Sequence, residues 1–343
     1  MKEIEAYTAK HTDGIQLNAN ELYCNLSNAI RHEIQGAIGE IAFNRYPDET
    51  SKELIEAYAN VIGIPSNQIL AGNGSDEMLG LIIGYFLGHG KKLMTLQPDF
   101  SMYDYYASMH EVEMVKFATA EDGSFLVEDF IEKGRQENVD MIIFSNPNNP
   151  TGNTLSNLDL RKIVEAFPKI PVLIDEAYGE FAEETMLDDL DTYPNLFVTR
   201  TLSKAYGLAG ARIGFLLSNR ENIQKIKPYL VPYNISTLAQ KAGSIVLAHA
   251  KEFQSLTEEI KNERRRMYEA LGKLRAVTFY PSSANYLYGR TGHKQRLLAM
   301  MEEAGITIRN YPDDTLRITI GAREENNRVL HVLQAFDREV GLL

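Results

Sequence analysis

Between residues 69 and 218 six apolar runs of strand length, ILAG, KLMTL, MIIFS, VLID, LFVT and RIGFLL, are separated by longer stretches of helical pattern such as 76–87, 157–167 and 221–230. The runs are continuous rather than alternating, so each needs cover on both faces, and helices crossing over parallel strands supply that cover. The expected fold class is therefore α/β, with a mostly parallel, helix-flanked sheet that presents ligands at the carboxyl ends of its strands. After residue 240 the texture changes to a long charged helical stretch reaching about Leu274, then TFYPSSANYLYG, a helix over 293–304, ITIRN, LRITIG and a final helix from Arg323. This reads as a smaller α+β domain. A chain of 343 residues suits that division, with a large domain expected over 30–240 and the small domain formed by 1–29 and 241–343. No repeat or low-complexity linker separates the two, so close packing is expected.

The strand ends carry the chemistry. AGNGSDEML (71–79) turns from a strand into a helix. Its glycines let backbone amides converge while Ser75 and Asp76 sit at a helix start, where the dipole favours an anion. An ordinary turn with Ser or Asp as N-cap explains the same residues, and both readings stand on this stretch. SNPNNPTG (145–152) ends the next strand, and its prolines and glycine hold an irregular backbone that presents Asn148 and Asn149. VLIDEAYGEF places Asp175 at the end of a buried strand, where an unpaired carboxylate is costly, so a cationic or hydrogen-bonding partner is expected; Tyr178 follows three residues on. A structural acceptor or an N-cap is the alternative role for Asp175. Finally TLSKAYGLAGARIG (201–214) sets Lys204 beside the hydroxyls of Thr201 and Ser203, with Arg212 beyond a glycine-rich turn. Desolvation and a neighbouring positive charge lower the proton affinity of such an amine and make it a Schiff-base former, and Arg212 is the expected source of the charge.

Composition narrows the function classes. Apolar content of 44% and charged content of 24% are those of a globular protein, and no run approaches eighteen apolar residues, so no membrane span is expected. A net charge of −12 argues against nucleic acid, and the triplet Arg264–Arg266 reads as a solvated helix face. The polar amino-terminal stretch lacks a signal-peptide core and Cys24 is the lone cysteine, so a cytoplasmic location is expected. Seven histidines show no metal-ligand spacing, and no metal is expected. The tyrosines of MYDYYASMH (102–110) are expected to pack in a core or an interface.

Taken together, GNGSDE, NPNNPTG, DEAY and TLSKAYGLAGARIG, in this order, resemble the pyridoxal-phosphate aminotransferases of fold type I, classes I and II. The similarity runs from about Tyr7 to the last helix. LNANE (17–21), RYPD (45–48), PDFSMY (98–103), VPYNIS (231–236), SSANYLY (282–288), ITIRN (306–310) and LRITIGAREEN (316–326) are most similar to the histidinol-phosphate branch of that family.

The resemblance implies a site. Lys204 would carry the cofactor and move the proton at the substrate's α carbon. Asp175 would pair with the pyridine N–H, and Asn149 and Tyr178 would hydrogen-bond the phenolic oxygen. Ser75, Asp76, Thr201, Ser203 and Arg212 would hold the phosphate, with Phe100 against the ring. Tyr46 would reach the phosphate site of a neighbouring subunit, which implies a homodimer with shared active sites. Arg317 would bind the substrate carboxylate, with Arg309 and Tyr7 serving a substrate phosphate. The implied reaction moves an amino group between L-histidinol phosphate and 2-oxoglutarate. Rival readings are an aromatic amino acid aminotransferase, a threonine-phosphate decarboxylase, and a cofactor-sensing regulator, which would need a fused DNA-binding module. One departure stands out: Asp99 adds a carboxylate where the family often has threonine.

Overall fold

A computed structural model describes residues 14–341. Among them the strands are β1 (Ile15–Leu17), β2 (Ile69–Asn73), β3 (Lys92–Gln97), β4 (Glu113–Ala118), β5 (Met141–Ser145), β6 (Val172–Asp175), β7 (Leu196–Thr201), β8 (Ile213–Leu217), β9 (Thr278–Phe279), β10 (Tyr286–Arg290), β11 (Ile306–Asn310) and β12 (Thr315–Thr319). A seven-stranded sheet has the order β2-β8-β7-β6-β5-β3-β4, and a five-stranded sheet the order β1-β11-β12-β10-β9. The larger sheet is parallel except at β8, which runs antiparallel to both β2 and β7. The fold is the expected mixed α/β arrangement with a mostly parallel sheet.

Burial follows from the sequence pattern. Every residue of β5, β6, β7 and β8 is buried, as continuous apolarity requires. Successive residues alternate between two cores: Met94, Ile142, Ile174 and Val198 face one, while Leu93, Ile143, Leu173 and Phe197 face the other. That is the two-residue period of a strand. The second core is closed by the helix Ser75–Phe86 through Met78, Leu79, Ile82 and Ile83. β4 was absent from the six runs because it is an edge strand whose ends, Glu113 and Ala118, are exposed; it lacks the continuous apolarity of its neighbours.

Two expectations need correction. The charged stretch after residue 240 is two helices, Thr237–Ala248 and Ala250–Leu271, separated at His249, whose φ of −101° and ψ of 24° end the first helix. Arg264 is not a solvated side chain: it is half-buried and donates to the Ala284 carbonyl at 2.7 Å, because that face of the helix turns toward the smaller sheet. Among the described residues no helix is long and apolar enough to cross a membrane.

The smaller sheet docks onto the strand-end loops of the larger one. Tyr286 donates through its hydroxyl to the Asn148 carbonyl at 2.6 Å, Ser283 N–H donates to the Gly152 carbonyl at 2.8 Å, and Asn285 Nδ2 donates to the Asn20 carbonyl at 3.0 Å. The carboxyl edge of the seven-stranded sheet is thus roofed by β10 and β12.

Candidate active site

The antiparallel turn of β8 matters to the site. It brings Arg212, the residue before β8, to the same edge as the carboxyl ends of β2, β3, β5, β6 and β7. The loop after β2 crosses β8 closely enough that a Cβ on Gly214 would lie 2.0 Å from the Ser75 backbone nitrogen, so only glycine fits there. Gly74 takes a φ of +80° and would, with a Cβ, strike the Arg212 guanidinium at 2.6 Å. Ser75 begins the helix and Gly74, not Ser75, is its N-cap. Arg212 Nη2 donates to Asp76 Oδ2 at 2.6 Å. Nearby, Thr201 Oγ1 lies 3.0 Å from Ser203 Oγ and accepts from the Ser203 N–H at 3.1 Å. Helix-start amides, two hydroxyls and a guanidinium therefore line one end of the strand edge.

Lys204 follows β7. It is half-buried, and its Nζ donates to the Ala19 carbonyl at 2.8 Å. Burial pulls the amine down to about 8, the Arg317 guanidinium adds to the shift, and Glu21 opposes it before Arg212 contributes. The sequence pointed to Arg212 as the charge acting on this amine, whereas the smaller sheet supplies a stronger one through β12. Lys204 Nζ also stands 6.0 Å from the centre of the Tyr178 ring.

Asp175 ends β6 and is buried. Its Oδ1 accepts from Thr199 Oγ1 at 2.8 Å and from the Ala177 N–H at 3.2 Å, and its Oδ2 accepts from the Tyr103 hydroxyl at 2.8 Å. Among the described residues no cation lies within ion-pair distance of it. Burial outweighs the three hydrogen bonds and pushes the carboxyl up to about 6. Tyr178 is buried, its hydroxyl accepts from Asn20 Nδ2 at 2.8 Å, and burial pushes the phenol up to about 12. Asn149 N–H donates to Ser145 Oγ at 2.8 Å, and Asn149 Oδ1 accepts from Arg317 Nη1. Phe100 is half-buried with its ring edge-on to Tyr103, centroids 5.7 Å apart.

Arg309 and Arg317 are direct cross-strand partners on β11 and β12, so both project from one face of the smaller sheet. Arg317 is buried, donates through Nη2 to the Asn18 carbonyl at 2.9 Å and lies 5.0 Å from the Tyr286 ring centre. Arg309 lies 5.8 Å from the Tyr311 ring centre. Tyr46 stands apart from this cluster: it is 81% exposed and stacks on Tyr233 at 4.6 Å. Tyr7 lies outside the described residues.

Three contributing residues were not picked out by their chemistry in the sequence. Tyr103 is buried as expected, yet its hydroxyl is also committed to Asp175. Asn20, at a φ of +56°, pins the Tyr178 hydroxyl and bonds Thr319 Oγ1. Ser145 bridges Asp99 and Asn149. The available signals were the PDFSMY and LNANE motifs, which named the stretches without assigning these side chains.

A half-buried strand-end lysine with a depressed pKa, a buried carboxylate with no cation beside it among the described residues, and helix-start amides, hydroxyls and a guanidinium meet at one sheet edge of an α/β scaffold. The model of the family "Aminotransferase class I and II" matches residues 12–335, and the chain belongs to that family. It is a pyridoxal-phosphate-dependent aminotransferase. The chain is 36% identical over 338 residues to the histidinol-phosphate aminotransferase of Clostridium kluyveri, covering 97% of this chain and 96% of the relative. It is 36% identical over 342 residues to that of Chlorobaculum tepidum, covering 97% and 98%. Among solved structures, the histidinol-phosphate aminotransferase of Sinorhizobium meliloti in complex with pyridoxal-5'-phosphate superposes with a TM-score of 0.86 at 25% identity, covering 95% of this chain and 91% of that one.

Proposed function

We propose that the protein is a cytoplasmic transaminase that moves an amino group between L-histidinol phosphate and 2-oxoglutarate, acting as a homodimer with shared sites. Residues 30–240 would form its cofactor-binding domain, and 1–29 with 241–343 its smaller domain. The single observation that carries the substrate reading is the register of Arg309 opposite Arg317. Two guanidinium groups from one face match a phosphate dianion, whereas a monocarboxylate aromatic acid needs only one.

The residues fit pyridoxal phosphate. Asp175 is a buried carboxylate held by three donors and, among the described residues, by no cation, which suits a protonated pyridine nitrogen. The close approach permitted by Gly74 and Gly214 suits a phosphate held by the Ser75 and Asp76 amides, Thr201, Ser203 and Arg212. When bound, the cofactor supplies a ring that accepts the electron pair released at the substrate's α carbon. Lys204 Nζ would hold the cofactor at rest and, once displaced by the substrate amine, take and return the proton at that carbon. An amine with a pKa near 8 is suited to both tasks near neutral pH. Asn149 and Tyr178 would donate to the phenolic oxygen, Phe100 would cover the ring, and Arg317 would orient the substrate anion, with Arg309 and Tyr7 adding to it for a phosphate. The dimer is supported by exposed apolar side chains close in sequence to Tyr46 or to Tyr233, on which it stacks, namely Phe43 at 69% and Val231 at 65%. Tyr46 would reach the partner's phosphate site from this surface.

The test is a substrate panel. Purified, cofactor-loaded protein is given histidinol phosphate, phenylalanine or threonine phosphate with 2-oxoglutarate, and glutamate and carbon dioxide are measured. Glutamate formed fastest from histidinol phosphate is expected. Faster turnover of phenylalanine, or release of carbon dioxide from threonine phosphate, overturns the reading.

A further inference from the structure

β3 and β5 share a ladder only at Leu93 with Met141 and Met94 with Ile142. Past it, the side chain of Asp99 takes the place of the missing backbone partners. Asp99 Oδ1 accepts from the Phe100 N–H at 2.8 Å and from the Ser145 hydroxyl. Asp99 Oδ2 accepts from the Ser145 N–H at 3.2 Å and from Thr95 Oγ1 at 3.4 Å. Four donors converge on two oxygens, and among the described residues no cation pairs with the carboxylate. The Ser145 hydroxyl has a single proton, committed to Asp99, so its lone pairs face the Asn149 N–H at 2.8 Å and Asn148 Nδ2 at 3.5 Å. Asn149 Oδ1 in turn accepts from Arg317. One continuous hydrogen-bonded path thus runs from the loop after β3, through Ser145, to the loop after β5 and on to β12.

We propose that Asp99 is a positioning residue for the cofactor pocket, its carboxylate clamping the loop that presents Phe100 to the loop that presents Asn149 through Ser145. The inference rests on the reading of Phe100 and Asn149 as cofactor contacts. A carboxylate is required because it accepts on both oxygens. In an asparagine one oxygen becomes an NH2 group, and whichever way the amide is turned it faces a backbone N–H, of Phe100 or of Ser145, that cannot rotate away. The clamp would then open at one loop while side-chain volume stays the same.

The test compares pyridoxal phosphate affinity, by titration of the cofactor-free protein, with the melting temperature of that same protein. At pH 8, above the value of about 7 to which burial pushes the Asp99 carboxyl, Asp99→Asn is expected to raise the dissociation constant about 10- to 100-fold, as the loss of one hydrogen bond to a charged group implies. Ser145→Ala, which removes the bridging hydroxyl and keeps the bonds of Asp99 to both backbone N–H groups, should weaken binding in the same direction. The double variant should bind no more weakly than the weaker single one, since both break one path. Should Asp99→Asn fail to fold, Ser145→Ala carries the test. A lowered melting temperature with unchanged cofactor affinity in either folded variant would mean a merely structural role and overturn the clamp. Lys204→Ala distinguishes this from failure of the site itself. If that variant loses the absorbance of lysine-bound cofactor while Asp99→Asn binds normally, the clamp alone is wrong; if it keeps that absorbance, the site assignment beneath the clamp falls too.

Discussion

Replacing Asp175 by asparagine should separate stability from catalysis. In the cofactor-free protein this carboxyl titrates at about 6 instead of 3.8 because burial opposes its charge. Below 3.8 it is protonated in both the folded and unfolded chain. Between 3.8 and 6 the folded protein keeps a proton that the unfolded chain releases, so stability falls as pH rises, and above 6 the full contribution is lost. At 1.36 kcal/mol per pH unit the loss is on the order of 3 kcal/mol. Asparagine avoids it at little cost in hydrogen bonds. Its oxygen can accept from Thr199 Oγ1 and the Ala177 N–H, and its NH2 can donate to the Tyr103 oxygen in place of the bond observed now. With about 2.1 cal/mol/K of unfolding entropy per residue over 343 residues, cofactor-free Asp175→Asn should melt up to roughly 4 °C above wild type at pH 8, the gain vanishing below pH 4. Loaded with cofactor, the same variant should turn over about 10²- to 10⁴-fold more slowly, the cost of leaving a buried cationic ring nitrogen without its partner. Calorimetry of the cofactor-free protein across pH 4 to 8 and a steady-state assay decide the matter. A variant that melts at or below wild type at pH 8 refutes the burial reasoning, and near wild-type turnover refutes the counter-charge role.

The remaining expectations concern the other groups at the site. Borohydride reduction of the loaded enzyme followed by peptide mapping should place the adduct on Lys204, and Lys204→Ala should fold without turnover; an adduct on another lysine removes the basis of the mechanism. Because the folded amine is depressed to about 8, it is neutral above that pH, so the rate of cofactor capture should rise through pH 8, and a midpoint near 10.5 would contradict it. Mixing Lys204→Ala with Tyr46→Ala protein and allowing subunit exchange should restore part of the activity, and a fully active monomer in light scattering would rule out shared sites. Arg309→Ala should raise KM for histidinol phosphate about 10- to 100-fold while sparing phenylalanine, and Arg317→Ala should harm both. Equal losses on the two substrates in the Arg309 variant would favour the aromatic alternative.

What the sequence by itself determined is whatever a short stretch can encode. Continuous apolarity marked β5, β6 and β7 because strands covered on both faces have no polar side to show. The strand-end motifs pointed to Ser75, Asn149 and Arg212 through a glycine, a proline or a helix start written in adjacent residues, and to Asp175 and Lys204 through a charged group placed at the end of a buried strand. Pairings between distant segments were decided only by the tertiary structure. Tyr103 meets Asp175 across 72 positions, Lys204 meets Ala19 across 185, and Arg317 meets Asn149 across 168. The charge acting on Lys204 illustrates the difference. Proximity in sequence suggested Arg212, eight residues on, but Coulomb interaction depends on distance in space and on burial. The docking of the smaller sheet over the strand ends lets the buried guanidinium of Arg317 act on that amine more strongly than the half-exposed one of Arg212, which is already paired with Asp76.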